Sequence, residues 1–109
     1  GLALYKPVGP NRLTQKNVAK IGLASGKFGA YMRCSLPTVS VAQPTYAELL
    51  REYGFGVDVP SMEALPDALV RVSENANAHR KQARRLFEER LDFDLHWPGL
   101  SARLTALMR

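Results

Sequence analysis

An α/β arrangement with a parallel sheet and flanking helices is the fold class this sequence predicts, and three observations predict it. Short apolar or β-branched runs alternate with longer segments of helical period. Caps and breakers stand at the joints between them. Composition is that of an ordinary folded domain, with 46% apolar and 23% charged residues over 109 positions. Parallel strands need crossover helices, and those cover both faces of the sheet. Three strands make half of a doubly wound sheet, so a partial, Rossmann-like sheet is expected.

The elements follow in order. Residues 2–5, LALY, are too short for a helix and suit a buried strand that ends at Lys6-Pro7. The polar stretch from Lys6 to Gly22 is a candidate substrate loop, since structureless segments of this length are usually functional or mobile. Ser25 caps a helix over 26–34, where Phe28, Tyr31 and Met32 fall at helical spacing. Leu36-Pro37 stops it, and 38–41, TVSV, read as a buried strand. Thr45-Tyr46-Ala47-Glu48 has the pattern of a capping box opening a helix that ends at Gly54. Phe55 to Val59 alternates as a short strand, and Pro60-Ser61 opens a helix with Leu65, Leu69 and Val72 on one face. After an interruption at 74–77, a helix over 78–91 carries Ala83, Leu86, Phe87 and Leu91 on one side. A last helix is expected to start near Pro98, with Trp97, Leu100, Leu104 and Leu107 as its stripe.

Length limits the chain to one domain, able to bury roughly 65% of its unfolded surface. No apolar run approaches the roughly 20 residues that span a bilayer, and no charged-then-apolar signal region opens the sequence. The single Cys34 cannot form an internal disulfide, and two distant histidines make no cluster at zinc-ligand spacing. A reducing compartment and no metal are therefore expected. Gly1 leads directly into an apolar strand-like run, so the chain is expected to be a single domain, or a domain fragment, that begins inside a longer protein.

Ala24-Ser25-Gly26-Lys27 enters a helix from a polar loop. A helix N-terminus offers unpaired amides and partial positive charge, so a serine hydroxyl, a glycine allowing close approach and a lysine point charge suit a phosphate. The plainer alternative is a cap followed by a surface lysine, because the full phosphate-loop motif needs an earlier glycine at fixed distance. Glu48 is accounted for by its place in the capping box without a ligand.

Beyond these local patterns, the succession GLALY, a polar loop, IGLASGKFGAYMRCSLPTVSV, TYAELLREYGFGVDV and a helix pair ending RRLFEERLDFDLHW resembles the C-terminal part of bacterial nucleotide-sugar glycosyltransferases with two Rossmann-like domains, the GT-B fold. The resemblance covers nearly the whole chain. Its most specific element is Ser25-Gly26-Lys27 followed by Tyr31 and Leu36-Pro37. It implies transfer of a sugar from a UDP- or GDP-linked donor to a saccharide or lipid-linked acceptor, in cell-surface polysaccharide synthesis, in the cytoplasm or at the inner face of the membrane. It also implies that Ser25, Gly26 and Lys27 face the donor diphosphate, that no separate cofactor or metal is needed, and that Glu48 lies in the donor-facing region after the second strand. The loop from Pro7 to Asn17 corresponds to the stretch that overhangs the donor pocket. The family's ribose-binding glutamate falls at position 30, where this sequence has Ala30. The last helix, 96–109, is implied to pack on a missing N-terminal domain.

Two further features weigh against nucleic acid and toward association. His79-Arg80-Lys81-Gln82-Ala83-Arg84-Arg85 is basic, but Glu88 and Glu89 follow at helical spacing and can pair with Arg84 and Arg85, so a solvated face is expected rather than a nucleic-acid site. Cys34 is expected to be a small buried side chain. The stripe Trp97, Leu100, Leu104, Leu107 lacks its partner in the isolated chain and predicts a homo-oligomer. A net charge of +5, taken as spread over the chain, is weak support for peripheral membrane contact. The competing reading is a non-catalytic α/β module that binds a partner through its basic face or C-terminal stripe, with Ala30 as its main support.

Overall fold

The computed structural model describes residues 1–4, 20–21 and 24–109. The expected substrate loop, including Pro7 to Asn17, lies outside the described residues. Three strands, β1 (Leu2–Ala3), β2 (Thr38–Val41) and β3 (Gly56–Val59), form one parallel sheet in the order β1-β2-β3. Five α-helices accompany them among the described residues: α1 (Gly26–Arg33), α2 (Pro44–Glu52), α3 (Leu65–Glu74), α4 (Ala76–Leu86) and α5 (Phe93–Leu107). The α/β class with flanking helices is as the alternation predicts.

Side-chain alternation assigns the two faces of the sheet. Val39, Val41, Val57 and Val59 meet Ala68, Val72, Ala64 and Leu65, so α3 covers one face. On the other face α1, α2 and α4 gather around Phe28, Met32, Tyr46, Leu49, Tyr53, Phe55, Ala83 and Leu86, all buried. Phe28 is the hub of that core. Its ring stacks on Tyr46 at 4.5 Å and meets Phe55 edge-on at 5.2 Å.

Two backbone features set the strand ends. A Cβ built on Gly56 would lie 1.7 Å from the carbonyl oxygen of Thr38, its register partner, so only glycine admits the start of β3 against β2. At the end of α1, Leu36 donates to the Tyr31 carbonyl and Ser35 to that of Met32, the Schellman pattern. Ser35 takes the left-handed position there, at φ 56°, where glycine is usual.

Several boundaries differ from expectation. The helix of the second crossover starts at Pro44, with Gln43 at the N-cap position but making no side-chain cap bond, so Thr45 sits inside the first turn and Glu48 one turn on, exposed. Proline is favoured at the first helical position. The amide that a capping-box glutamate would serve, that of Gln43, donates instead to the carboxylate of Asp58 from β3. The third helix is preceded by a 3-10 turn, Met62–Ala64, and begins later than Pro60-Ser61 suggests. The basic helix starts at Ala76 and ends in a π turn, Phe87–Leu91. The last helix starts at Phe93, because Asp92 accepts from the Asp94 amide as its cap, and Pro98 lies within it. Cys34, expected to be buried, is exposed at the C-cap of α1.

Tyr53 ties α4 and the π turn to the core. Its hydroxyl donates to Glu89 Oε2 at 2.6 Å, and its ring lies under the guanidinium of Arg85 at 4.6 Å. The bond to Glu89 is the main cause that raises the Tyr53 hydroxyl, with burial and the charges of Glu52 and Glu89 adding to it. The same bond is the main cause that lowers the Glu89 carboxyl, aided by Arg85 and Arg90 against desolvation. A carboxyl lowered on folding contributes stability above its unfolded value and loses that contribution as pH falls through its folded one. Tyr53→Phe is therefore expected to flatten the acid side of a pH-stability curve. An unchanged acid limb in that variant would remove the bond from the account.

The close approach at Gly56 gives a larger effect. Gly56→Ala is expected to cost more than about 3 kcal/mol in urea unfolding, since the carbonyl it meets belongs to the sheet backbone. Ser35→Gly is expected to gain about 0.5–1 kcal/mol by relieving a left-handed serine. A neutral Gly56→Ala would show that β3 shifts at little cost.

Candidate functional site

In a parallel sheet every strand runs into its crossover helix at the carboxyl edge, so the N-termini of α1, α2 and α3 all open there. The Phe28–Tyr46 stack joins the first turns of two of them, because each ring stands at the third helical position. The sequence-predicted turn is therefore at the edge where such sheets bind ligands. Ser25 is buried and caps α1 as expected, its Oγ accepting from the Phe28 amide at 3.2 Å. Gly26 and Lys27 follow as the first two helical residues, both exposed. Ser25 and Lys27 each take part in further polar interactions. Ala30, also exposed, lies one turn on from Gly26 on the same side of α1.

The three helix ends differ in charge. The start of α2 is answered from within the fold: Asp58 Oδ1 accepts from Ser40 Oγ at 2.6 Å and from the Gln43 amide at 3.1 Å. The start of α3 has Asp67 in its first turn and Glu63 in the turn before it. The first turn of α1 has no acidic residue, and its cap is the neutral Ser25. A helix end of this kind has a partial positive charge that suits an anion.

Sequence position strengthens that contrast. Glu48 is the first carboxylate in the chain, and the 47 residues before it hold six cations, Lys6, Arg12, Lys16, Lys20, Lys27 and Arg33. The remaining residues hold nine cations and ten carboxylates. The first 47 residues therefore have a net charge of +6 and the rest −1, so the chain's positive charge lies in the stretch of sequence that leads from β1 through α1 into β2. Overall charge hides this, and a running count along the chain reveals it.

Gln43 is the residue that sequence reasoning missed. It follows β2 directly, is 1% exposed, and its Oε1 is buried without a hydrogen-bond partner. Its side chain makes no cap bond. Leaving such a group dry costs about 1–3 kcal/mol. The preceding Ala42 is left-handed at φ 50°, so the β2-to-α2 joint holds both a backbone and a side-chain irregularity. No motif marks Gln43, because its burial depends on the helices packed around it.

The basic helix is a paired surface. Arg84 bonds Glu88 at 2.7 Å and Arg85 bonds Glu89 at 3.3 Å, as the spacing predicts. Arg84 also donates to the Arg33 carbonyl at 2.9 Å, serving the C-terminal end of α1. His79 Nδ1 lies 2.6 Å from the Gly54 carbonyl and His96 Nε2 lies 2.7 Å from that of Arg90, so the two rings serve separate places. An open groove of about 730 Å³ lies at the opposite, amino edge of the sheet, lined by Arg51, Gly54, Asn75, His79 and Lys81 among others. No helix among the described residues is long and apolar enough to cross a membrane.

Compared with known proteins, the chain matches no family model, no curated protein and no solved structure.

Asp58 makes two connections, so its removal is expected to act on both. Asp58→Ala is expected to cost about 2–3 kcal/mol, since the Gln43 amide and the Ser40 hydroxyl lose a charged partner together. Ser40→Ala is expected to cost less, and equal losses for the two variants in chemical unfolding would show that the amide bond contributes nothing.

Proposed function

We propose that this chain is the donor-binding part of a glycosyltransferase, holding the diphosphate of a nucleotide sugar at the N-terminus of α1. The observation that supports this reading most is the electrostatic contrast at the carboxyl edge. The ends of α2 and α3 have carboxylates, the first turn of α1 has none, and along the sequence the 47 residues before Glu48 hold six cations and no carboxylate. A diphosphate there meets the first amides of α1 and the Lys27 ammonium. As the sugar leaves, the charge that develops on the diphosphate is stabilised by those same preorganised groups. The donor is UDP- or GDP-linked, and the acceptor is a saccharide or a lipid-linked saccharide. Groups that meet the acceptor belong to another part of the transferase, and this chain alone is expected to be inactive. Ala30 supplies no carboxylate to a ribose, which forgoes about 1.5–3 kcal/mol of charge-assisted hydrogen bonding.

A second reading, a non-catalytic partner-binding module, is favoured by one feature. Phe93, Leu95, Trp97, Leu100, Leu104, Leu107 and Met108 are all exposed on or beside α5, and no residue of that helix is buried. Apolar surface of this kind promotes association. Sedimentation of the isolated chain is expected to show a concentration-dependent oligomer, and a monomer at high concentration would count against this surface.

Amide NMR titration with UDP, GDP and their sugars separates the two readings. Shifts are expected to cluster at Ser25, Gly26 and Lys27. Lys27→Ala is expected to weaken binding about tenfold, the scale of one charged hydrogen bond, while charge reversal at Arg84 and Arg85 leaves it unchanged. The opposite pattern would favour the partner-binding module.

A further inference from the structure

The groove of about 730 Å³ at the amino edge of the sheet is a second place for a ligand, on the side away from the N-terminus of α1. One wall comes from the end of α2 and the turn into β3, the other from α4 and the joint before it. The fold ties the two walls together. His79 Nδ1 lies 2.6 Å from the Gly54 carbonyl, and Gln82 Cγ lies 3.8 Å from where a Cβ on Gly54 would stand.

Charge on these walls is unbalanced. Arg51 of α2 and Lys81 and Arg85 of α4 line the groove against a single carboxylate, Glu52. That carboxylate is engaged at 2.9 Å by Arg90, which lies outside the lining. Arg85 is held in place by Glu89, by the Gln82 carboxamide and by the Tyr53 ring under its guanidinium. Arg51 and Lys81 are exposed, and among the described residues no carboxylate pairs with either. Lys81 and Arg85 stand four residues apart on one helix, a spacing at which like charges repel. Cations gathered in a concave surface concentrate a positive field that draws anions in.

The rest of the lining narrows the ligand. No aromatic ring among the lining residues offers a base a place to stack, and Leu50 and Ala78 are the lining's only apolar side chains. Asn77 and Gln82 add carboxamides, which can donate to an anion's oxygens. A volume of several hundred Å³ suits a small molecule rather than one ion. What fits is a molecule with several negative groups and little apolar body.

We propose that this groove binds a small polyanion, its phosphate or carboxylate groups bridging Arg51 on one wall to Lys81 and Arg85 on the other. The site is separate from the one proposed at α1 and does not rest on the donor-site reading.

Amide NMR titration of the full chain with tripolyphosphate and with citrate tests the site. Shifts are expected at Gly54, Asn77, Lys81 and Gln82. Tighter binding of tripolyphosphate assigns the ligand to phosphates, and tighter binding of citrate assigns it to carboxylates. Arg51→Ala and Lys81→Ala are each expected to weaken that binding about tenfold, the scale of one charged hydrogen bond. Neither side chain has an ion pair to lose, so the melting temperature is expected to hold in both. Arg103→Ala removes the same charge from α5, outside the groove, and is expected to leave binding unchanged. Equal weakening by Arg103→Ala overturns the site, because attraction to the chain's overall charge then accounts for the binding. Shifts confined to Ser25, Gly26 and Lys27 overturn it while supporting the diphosphate site, and a chain that shows no shift with either anion overturns it outright.

Discussion

The carboxylate of Asp58 joins three parts of the molecule that no local pattern connects. It stands opposite Ser40 in the register of β2 and β3, accepts a hydrogen bond from that hydroxyl, and accepts another from the amide that opens α2. Strand pairing, the turn out of β2 and the direction of α2 all meet at this one group. A single anion placed there also distinguishes the helix ends: α2 is answered from inside the fold, while the first turn of α1 has no acidic residue.

What the sequence discloses about this fold is what local chemistry decides. Ser25 caps α1 through a bond three residues away, Thr38 to Val41 forms a strand through β-branching, and Arg84–Glu88 pairs across one helical turn. Each needs only near neighbours along the chain. The capping box at Thr45 fails for the opposite reason, since Pro44 fixes an earlier start and a residue 15 positions away supplies the carboxylate. Pro98 misleads in the same manner, because Asp92 offers a stronger cap upstream. Gly56 looks like any turn glycine until the Thr38 carbonyl beside it is known.

The site divides along the same line. Ser25, Gly26 and Lys27 are recognisable from their order, and the structure places them at the carboxyl edge. Glu48 is exposed one turn into α2, with no capping bond to account for it. Gln43 is invisible in sequence because burial of a polar side chain is a property of the assembled helices. The uneven charge was in plain view, yet a whole-chain total conceals a cationic first half followed by a nearly balanced remainder.

The outward course of α5 has a thermodynamic consequence. A helix that buries none of its own residues draws almost nothing from the core, and Pro98 removes one rung of its ladder. Its formation is then uncoupled from that of the sheet. Such a chain has two cooperative units of unequal strength, and amide exchange would register them as separate populations, one opening locally and one only when the whole domain unfolds.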